Sequence, residues 1–395
     1  MHFLLLSSTY FPEKKSASFM LKELAQSFVS RGHKVTVLTF SHNLISEVDN
    51  DEIDGVRVIR LKVTDPKFSK IKRALVELSY SRKLIQFIKK DQLNKVDALI
   101  YFSPSIFFGR AVSYIKKFYS IKSFLIIRDL FPDWLVKIKQ LKKGPVYYFF
   151  KFFEFTNFKS ADFIGTESVA DIEHVINIVG NKNHEVEQLR NWFAKPKSKN
   201  TVRKDNNYIA NSKINLVYGG SLGLAQDVLG FLKILEKETS SKLLKINVIG
   251  EGEQKLSLKK FSKNSDLDIQ IISMMDRDEY FDLIHKSDAG LVILDKNLVA
   301  NNYPGKSFDY MFSKKPLVCF FHESNEFGKI IEKENLGYFI KSNHRDSFRN
   351  ELNSLVYDEK QRIEKGENSY NYLQEYFTVE RASHQIQNKF FIEQK

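Results

Sequence analysis

The chain has 395 residues, 43% of them hydrophobic and 28% charged, with a single cysteine and a formal net charge of +13. That length exceeds what one core ordinarily supports, so about two domains are expected, and one cysteine, Cys319, excludes a disulfide framework or a cysteine-rich zinc site. The positive excess is confined to residues 1–200, which hold 33 Lys+Arg against 20 Asp+Glu, whereas residues 201–395 hold 28 of each. Such asymmetry points to an anionic partner for the first half: a membrane surface, a phosphorylated lipid or nucleic acid.

The N-terminus runs directly into a strand pattern, without the basic n-region and apolar stretch of a signal peptide. No apolar run of about 18 residues suggests a membrane span. Short β-rich runs alternating with amphipathic segments predict βαβ units and parallel sheets covered by helices. In the first half, strands are expected near residues 3–7, 35–40, 56–61, 98–102, 124–127 and 163–165, with a helix over 17–31 that Gly32 ends. In the second half they are expected near 214–218, 245–249, 269–273, 290–294, 317–321 and 337–340. The fold class is α/β. Two Rossmann-like domains, 1–193 and 213–370, are joined by a polar linker at 194–212, and a C-terminal helical segment, 371–395, packs back toward the first domain. A nucleotide would sit in the cleft between the domains, at the carboxyl ends of the strands.

In chain order, Ser8-Thr-Tyr-Phe-Pro-Glu-Lys-Lys-Ser-Ala-Ser18 follows the first strand and brings Lys14, Lys15 and Ser16 to one wall of that cleft. Ile127-Arg-Asp-Leu-Phe-Pro-Asp-Trp134 gathers Arg128, Asp129 and Asp133 at a strand end as catalytic or acceptor contacts. Alternatively, Arg128 and Asp129 form a salt bridge and Trp134 packs in the core. Residues 142–159 hold eight Tyr or Phe with lysines at both ends, a mixture suited to a membrane interface or to a buried helix.

Tyr218-Gly-Gly-Ser-Leu-Gly-Leu-Ala-Gln-Asp227 is a Gly-rich turn leading into a helix, able to bring backbone close to a diphosphate or simply to make a tight turn. Ile249-Gly-Glu-Gly-Glu253 repeats the pattern, with Glu251 either functional or a cap. Asp266-Leu-Asp268 and Asp276-Arg-Asp278 could hold a metal, but helix capping accounts better for the second. Finally, Pro304-Gly305 opens a helix on which Lys306 and Asp309 share one face, an arrangement that suits a phosphate and a ribose or else an ordinary capped surface helix.

Taken in order, these segments resemble glycosyltransferase family 4, retaining enzymes of the GT-B fold. The resemblance rests on Tyr10-Phe-Pro, Arg31-Gly-His-Lys-Val-Thr-Val37, Arg190-Asn-Trp192, Gly250-Glu-Gly252 and Pro304-Gly-Lys306 through Pro316. Within the family, Arg128 through Asp133 and Gly219-Gly-Ser-Leu-Gly223 look closest to bacterial N-acetyl-fucosamine-type transferases that build O-antigen or capsule. The resemblance implies a donor site of Gly219, Gly220, Ser221, Gly223, Gly250, Glu251, Met274, Pro304, Gly305, Lys306, Ser307 and Asp309. Asp309 stands at the second glutamate of the family's Glu-x7-Glu pattern and Asn301 at the first; Arg128 stands at the family's His before Asp129, and Leu224 at a commonly basic position. Lys15-Ser16 replaces a Gly-rich pair.

Catalysis is accordingly expected from Arg128, Asp129, Asn301 and Lys306, and acceptor contacts from Lys14, Lys15, Ser16 and Asp133. The implied reaction moves a sugar from a UDP-sugar to a polyprenyl-diphosphate-linked saccharide, with neither cofactor nor metal. It would occur at the inner face of the cell membrane, where the basic half meets anionic lipid. A GT-B-type UDP-sugar epimerase would instead convert its substrate without an acceptor, and a nucleic-acid binder would show steep salt dependence.

Overall fold

The computed structural model describes residues 1–13, 15–65, 70–90, 93–103, 105–137, 140–180, 184–193, 213–238, 243–298 and 303–391. Lys14, Asn301 and the expected linker 194–212 lie outside the described residues. The chain divides into two compact units, one of Met1–Ala194 with Thr378–Lys395 and the other of Lys195–Phe377.

The first unit runs β1 (His2–Leu6), α1 (Ser16–Ser30), β2 (Lys34–Ser41), β3 (Val48–Ile53), β4 (Val56–Lys62) and α2 (Lys70–Ile88). It continues with β5 (Ala98–Phe102), α3 (Gly109–Tyr119), β6 (Ser123–Ile127), α4 (Asp133–Lys137) and α5 (Pro145–Lys159). β7 (Phe163–Thr166), α6 (Val169–Val179) and β8 (Glu185–Gln188) complete this part. The sheet order is β3-β4-β2-β1-β5-β6-β7-β8, parallel except for the β3–β4 hairpin. Both faces of the sheet are covered. Leu4 and Leu6 of β1 enter one core layer and Phe3 and Leu5 the other, which is why the strands read as continuous apolar runs.

The six strands expected in this half are present. β3 and β8 were not expected: Val48-Asp-Asn-Asp-Glu-Ile53 and Glu185-Val-Glu-Gln188 are polar edge strands without an apolar run. Asp54-Gly55 turns the hairpin with φ of +51° and +79°, a two-residue turn whose positive φ values favour this pair.

The second unit runs β9 (Ile214–Gly219), α7 (Val228–Glu238), β10 (Leu244–Ile249), α8 (Lys255–Asn264), β11 (Asp268–Ile272), α9 (Arg277–His285) and β12 (Ala289–Ile293). Next come α10 (Lys306–Phe312), β13 (Leu317–Phe321), α11 (Glu326–Lys333), β14 (Gly337–Lys341), α12 (Arg345–Tyr357) and α13 (Glu359–Tyr376). Its sheet is wholly parallel in the order β11-β10-β9-β12-β13-β14, and all six strands match the sequence expectation. The last helix, α14 (Val379–Phe391), belongs to the first unit. There it packs against α1, with the Ser27 and Ser383 hydroxyls 2.7 Å apart and Phe390 edge-on to Phe3 at 6.0 Å.

Candidate nucleotide site in the C-terminal unit

Strand order in the second sheet reverses between β9 and β12. In doubly wound sheets a ligand binds where the order reverses, because the loops leaving the two strands there diverge and open a crevice. β9 ends at Gly219, and α10 is the helix that follows β12.

Three tyrosines tie this point together. The Gly219 N–H donates to the Tyr310 hydroxyl at 2.9 Å, and the Tyr280 hydroxyl donates to the same oxygen at 3.3 Å. A Cβ on Gly219 would fall 2.2 Å from the Tyr280 hydroxyl, so α9 and α10 are both keyed to the end of β9. Tyr218 donates to the Ser221 carbonyl at 2.7 Å and shapes the loop that follows.

The two Gly-rich loops are laced together. Gly220 N–H donates to the Ile249 carbonyl and Leu222 N–H to the Glu251 carbonyl, each at 2.9 Å. The amides of Ser221 and Gly223 find no acceptor among the described residues. Donors left open on a tight backbone loop are what an anion needs.

Lys306 completes the positive end. Its ammonium lies over the Tyr218 ring, 3.7 Å from the centroid, and its Nζ is 3.3 Å from where a Cβ on Gly220 would stand. No carboxylate pairs with it among the described residues, and burial pushes it down to about 7. Because α10 has only seven residues, the positive potential is carried by Lys306 more than by the helix end. One turn on, Asp309 lies 3.5 Å from the Arg277 guanidinium; burial raises its carboxyl to about 6 against the pull of that arginine.

The remaining donor-site expectations are distributed around this centre. Pro304 is half-buried and Gly305 exposed at the start of α10. Ser307 is fully buried, with no partner for its hydroxyl among the described residues. Glu251 is exposed and bonded by Lys255, which holds its carboxyl below the usual range. Met274 is exposed on the loop after β11. Both Asp-x-Asp triplets are used structurally: Asp276 caps α9 by accepting from the Glu279 N–H at 2.9 Å, and Asp268 pairs with Lys213 at 2.7 Å. Tyr218, Tyr280, Tyr310 and Arg277 were missed although each lies in or beside a motif, because the contacts that bring them here, Tyr310 on Gly219, Tyr280 on Tyr310, Arg277 on Asp309 and Lys306 on Tyr218, join segments far apart in the chain.

In the N-terminal unit Arg128 pairs with Glu167 at 3.2 Å, not with Asp129 as the structural alternative had it. Glu167 also accepts from Asn191 Nδ2 at 2.6 Å, and Trp192 is buried with its indole N–H on the Met20 carbonyl at 2.9 Å. Residues 190–192 are thereby joined to the end of β6. Asp129 is exposed. Asp133 accepts from Tyr147 at 2.7 Å and Lys151 at 3.1 Å, with His174 at 3.2 Å, and these donors hold its carboxyl well below the usual range. Lys15 pairs with Glu13 at 2.7 Å, and Ser16 begins α1. Asp133 and Lys15 are therefore engaged within their own unit. Glu167→Gln removes the charge beside the buried Arg128 guanidinium; a loss of about 2 kcal/mol is expected, read from thermal or denaturant unfolding.

No family model matches the sequence, and no curated protein matches it. Solved structures do match its fold. Sucrose-phosphate synthase from Thermosynechococcus elongatus superposes with a TM-score of 0.74 at 12% identity, covering 98% of each chain. The UDP-forming α,α-trehalose-phosphate synthase of Burkholderia vietnamiensis gives 0.71 at 10% identity over 99% of each chain. Anabaena HepE, solved in complex with UDP-glucose, gives 0.63 at 12% identity over 98% of this chain and 99% of its own. At these identities the likeness establishes the fold: two Rossmann-like units of the GT-B class.

Proposed function

We propose that this protein is a retaining glycosyltransferase of family 4 that transfers a sugar from a UDP-sugar to a lipid-linked saccharide. The observation that carries the reading is Lys306, unpaired by any described carboxylate and set beside the open amides of Ser221 and Gly223 at the strand-order reversal. Departure of a nucleoside diphosphate develops negative charge on its terminal phosphate, and a fixed ammonium with two unbonded N–H groups on the neighbouring loop stabilises that charge. Asp309 then accepts from ribose hydroxyls, and Arg277 holds the carboxylate in place. No metal ion is needed in this scheme, because Lys306 and the amides neutralise the diphosphate. Similar folds solved with UDP-glucose, or with UDP and glucose, support a UDP-linked donor.

The finer placement rests on the motif resemblance: an N-acetylated or deoxy sugar, a polyprenyl-diphosphate-linked acceptor in O-antigen or capsule assembly, and peripheral attachment at the inner face of the cell membrane. Among the described residues no helix is long and apolar enough to cross a membrane.

A thermal-shift panel tests the donor. UDP and UDP-sugars should raise the melting temperature by mass action while GDP-sugars do not; no shift with UDP overturns the reading, and conversion of a UDP-sugar without acceptor would identify an epimerase. The shift should depend on pH in a defined way. Burial pushes the Lys306 ammonium down to about 7 and the Asp309 carboxyl up to about 6. Above about 7, binding must also protonate Lys306, so UDP affinity should fall by up to about tenfold per pH unit. Below about 6 the carboxylate is lost and affinity should fall again, leaving an optimum between the two values. Calorimetric titration across this range checks both limbs.

A further inference from the structure

We infer that the outward face of α5 is a docking surface for an anionic lipid membrane. A helix lying on a globular unit ordinarily turns polar residues to water. Here the exposed positions are Val146, Tyr148, Phe149, Phe152 and Phe155, while the inward face buries Tyr147, Glu154, Asn157 and Phe158. Tyr148, Phe152, Phe155 and Lys159 follow one another at spacings of four, three and four residues, so they form one stripe along the helix. The outward side of this helix is apolar and exposed.

Charge decides what covers it. Lys142 and Lys143 are exposed just before the helix and Lys159 at its end. The segment's sole acid, Glu154, is turned inward against Lys151, where burial raises its carboxyl to about 7. The outward face therefore presents aromatic rings between lysines, with no negative group. Aromatic side chains favour the water–lipid boundary, and each lysine near an anionic surface adds about 1 kcal/mol. A second copy docked on this face would set lysines against lysines. The inference rests on the peripheral membrane attachment proposed above and locates it on one helix, while the sugar-transfer reaction is tested separately.

Flotation with vesicles of phosphatidylcholine, with and without phosphatidylglycerol, tests it. The native protein should float with the mixed vesicles and be released by high salt. Phe149→Ser/Phe152→Ser should weaken partitioning by about tenfold or more, and Lys142→Gln/Lys143→Gln should weaken it on anionic vesicles alone. Both variants alter exposed side chains, and an unchanged melting temperature and UDP-induced shift would show an intact fold. Absence of native binding, or binding indifferent to the Phe149→Ser/Phe152→Ser change, overturns the inference. So does a concentration-dependent dimer in sedimentation that this change abolishes, since the face would then join two copies. Failure of UDP to shift the native melting temperature, with vesicle binding retained, would overturn the proposed reaction and leave this surface standing.

Discussion

Lys306→Ala should lower kcat/KM for the UDP-sugar by about a thousandfold while leaving the fold intact. Removing a single preorganised donor to a developing oxyanion costs about a hundred- to a thousandfold, and Lys306 is the full positive charge of this site. The effect should appear in kcat as well as KM, because charge on the leaving phosphate grows toward the transition state. Stability should move the other way. The lysine has been carried out of water without a described carboxylate partner, and burial lowers it to about 7 from an unfolded value near 10.4. Its cost to the folded state is complete below about pH 7 and fades as pH rises toward the unfolded value. Lys306→Met should therefore melt higher than the native chain at pH 6, with a smaller advantage at pH 9. Transfer assays with radiolabelled donor and melting curves at the two pH values check both halves. An unaffected rate would remove Lys306 from the reaction.

Gly250→Ala should destabilise the C-terminal unit by at least about 3 kcal/mol and abolish the UDP-induced thermal shift. A Cβ at this position would stand 1.9 Å from the Gly220 carbonyl oxygen and 3.2 Å from Leu222 Cγ. The first obstacle is backbone, which no rotamer change can move aside. The two Gly-rich loops would have to separate, breaking the bonds from Gly220 N–H to Ile249 and from Leu222 N–H to Glu251. Those bonds hold the loop that carries the open Ser221 and Gly223 amides, so a folded remnant would have its anion donors displaced. Denaturant unfolding and UDP titration separate the two effects. Native stability with native UDP binding would show that the loops do not need this contact.

The strands were legible because a parallel sheet covered on both faces needs continuous apolar runs, as Leu317-Val-Cys-Phe-Phe321 displays. Edge strands need none, so Val48–Ile53 and Glu185–Gln188 were not visible in that signal. Lys306 and Asp309 were legible for a local reason: one helical turn separates them, and a Pro-Gly turn precedes them. Arg277 was not. It sits between two acids that read as helix capping, and Asp276 does cap α9, while the guanidinium turns to a carboxylate 32 positions along the chain. Arg128 carried the opposite lesson, since its nearest acid in sequence, Asp129, is not its partner and Glu167 is.

By itself the sequence determined the alternation of strands and helices, the two Gly-rich turns, and the lysine–carboxylate pair on one helix face. Each of these depends on residues within a few positions of one another. Only the tertiary structure decided that Tyr280 and Tyr310 lock the end of β9, that Lys306 lies against Tyr218 without a described acidic partner, and that the aromatic helix α5 turns one side outward. Burial and charge pairing are properties of neighbours in space, and in a doubly wound sheet those neighbours come from segments that the chain keeps far apart.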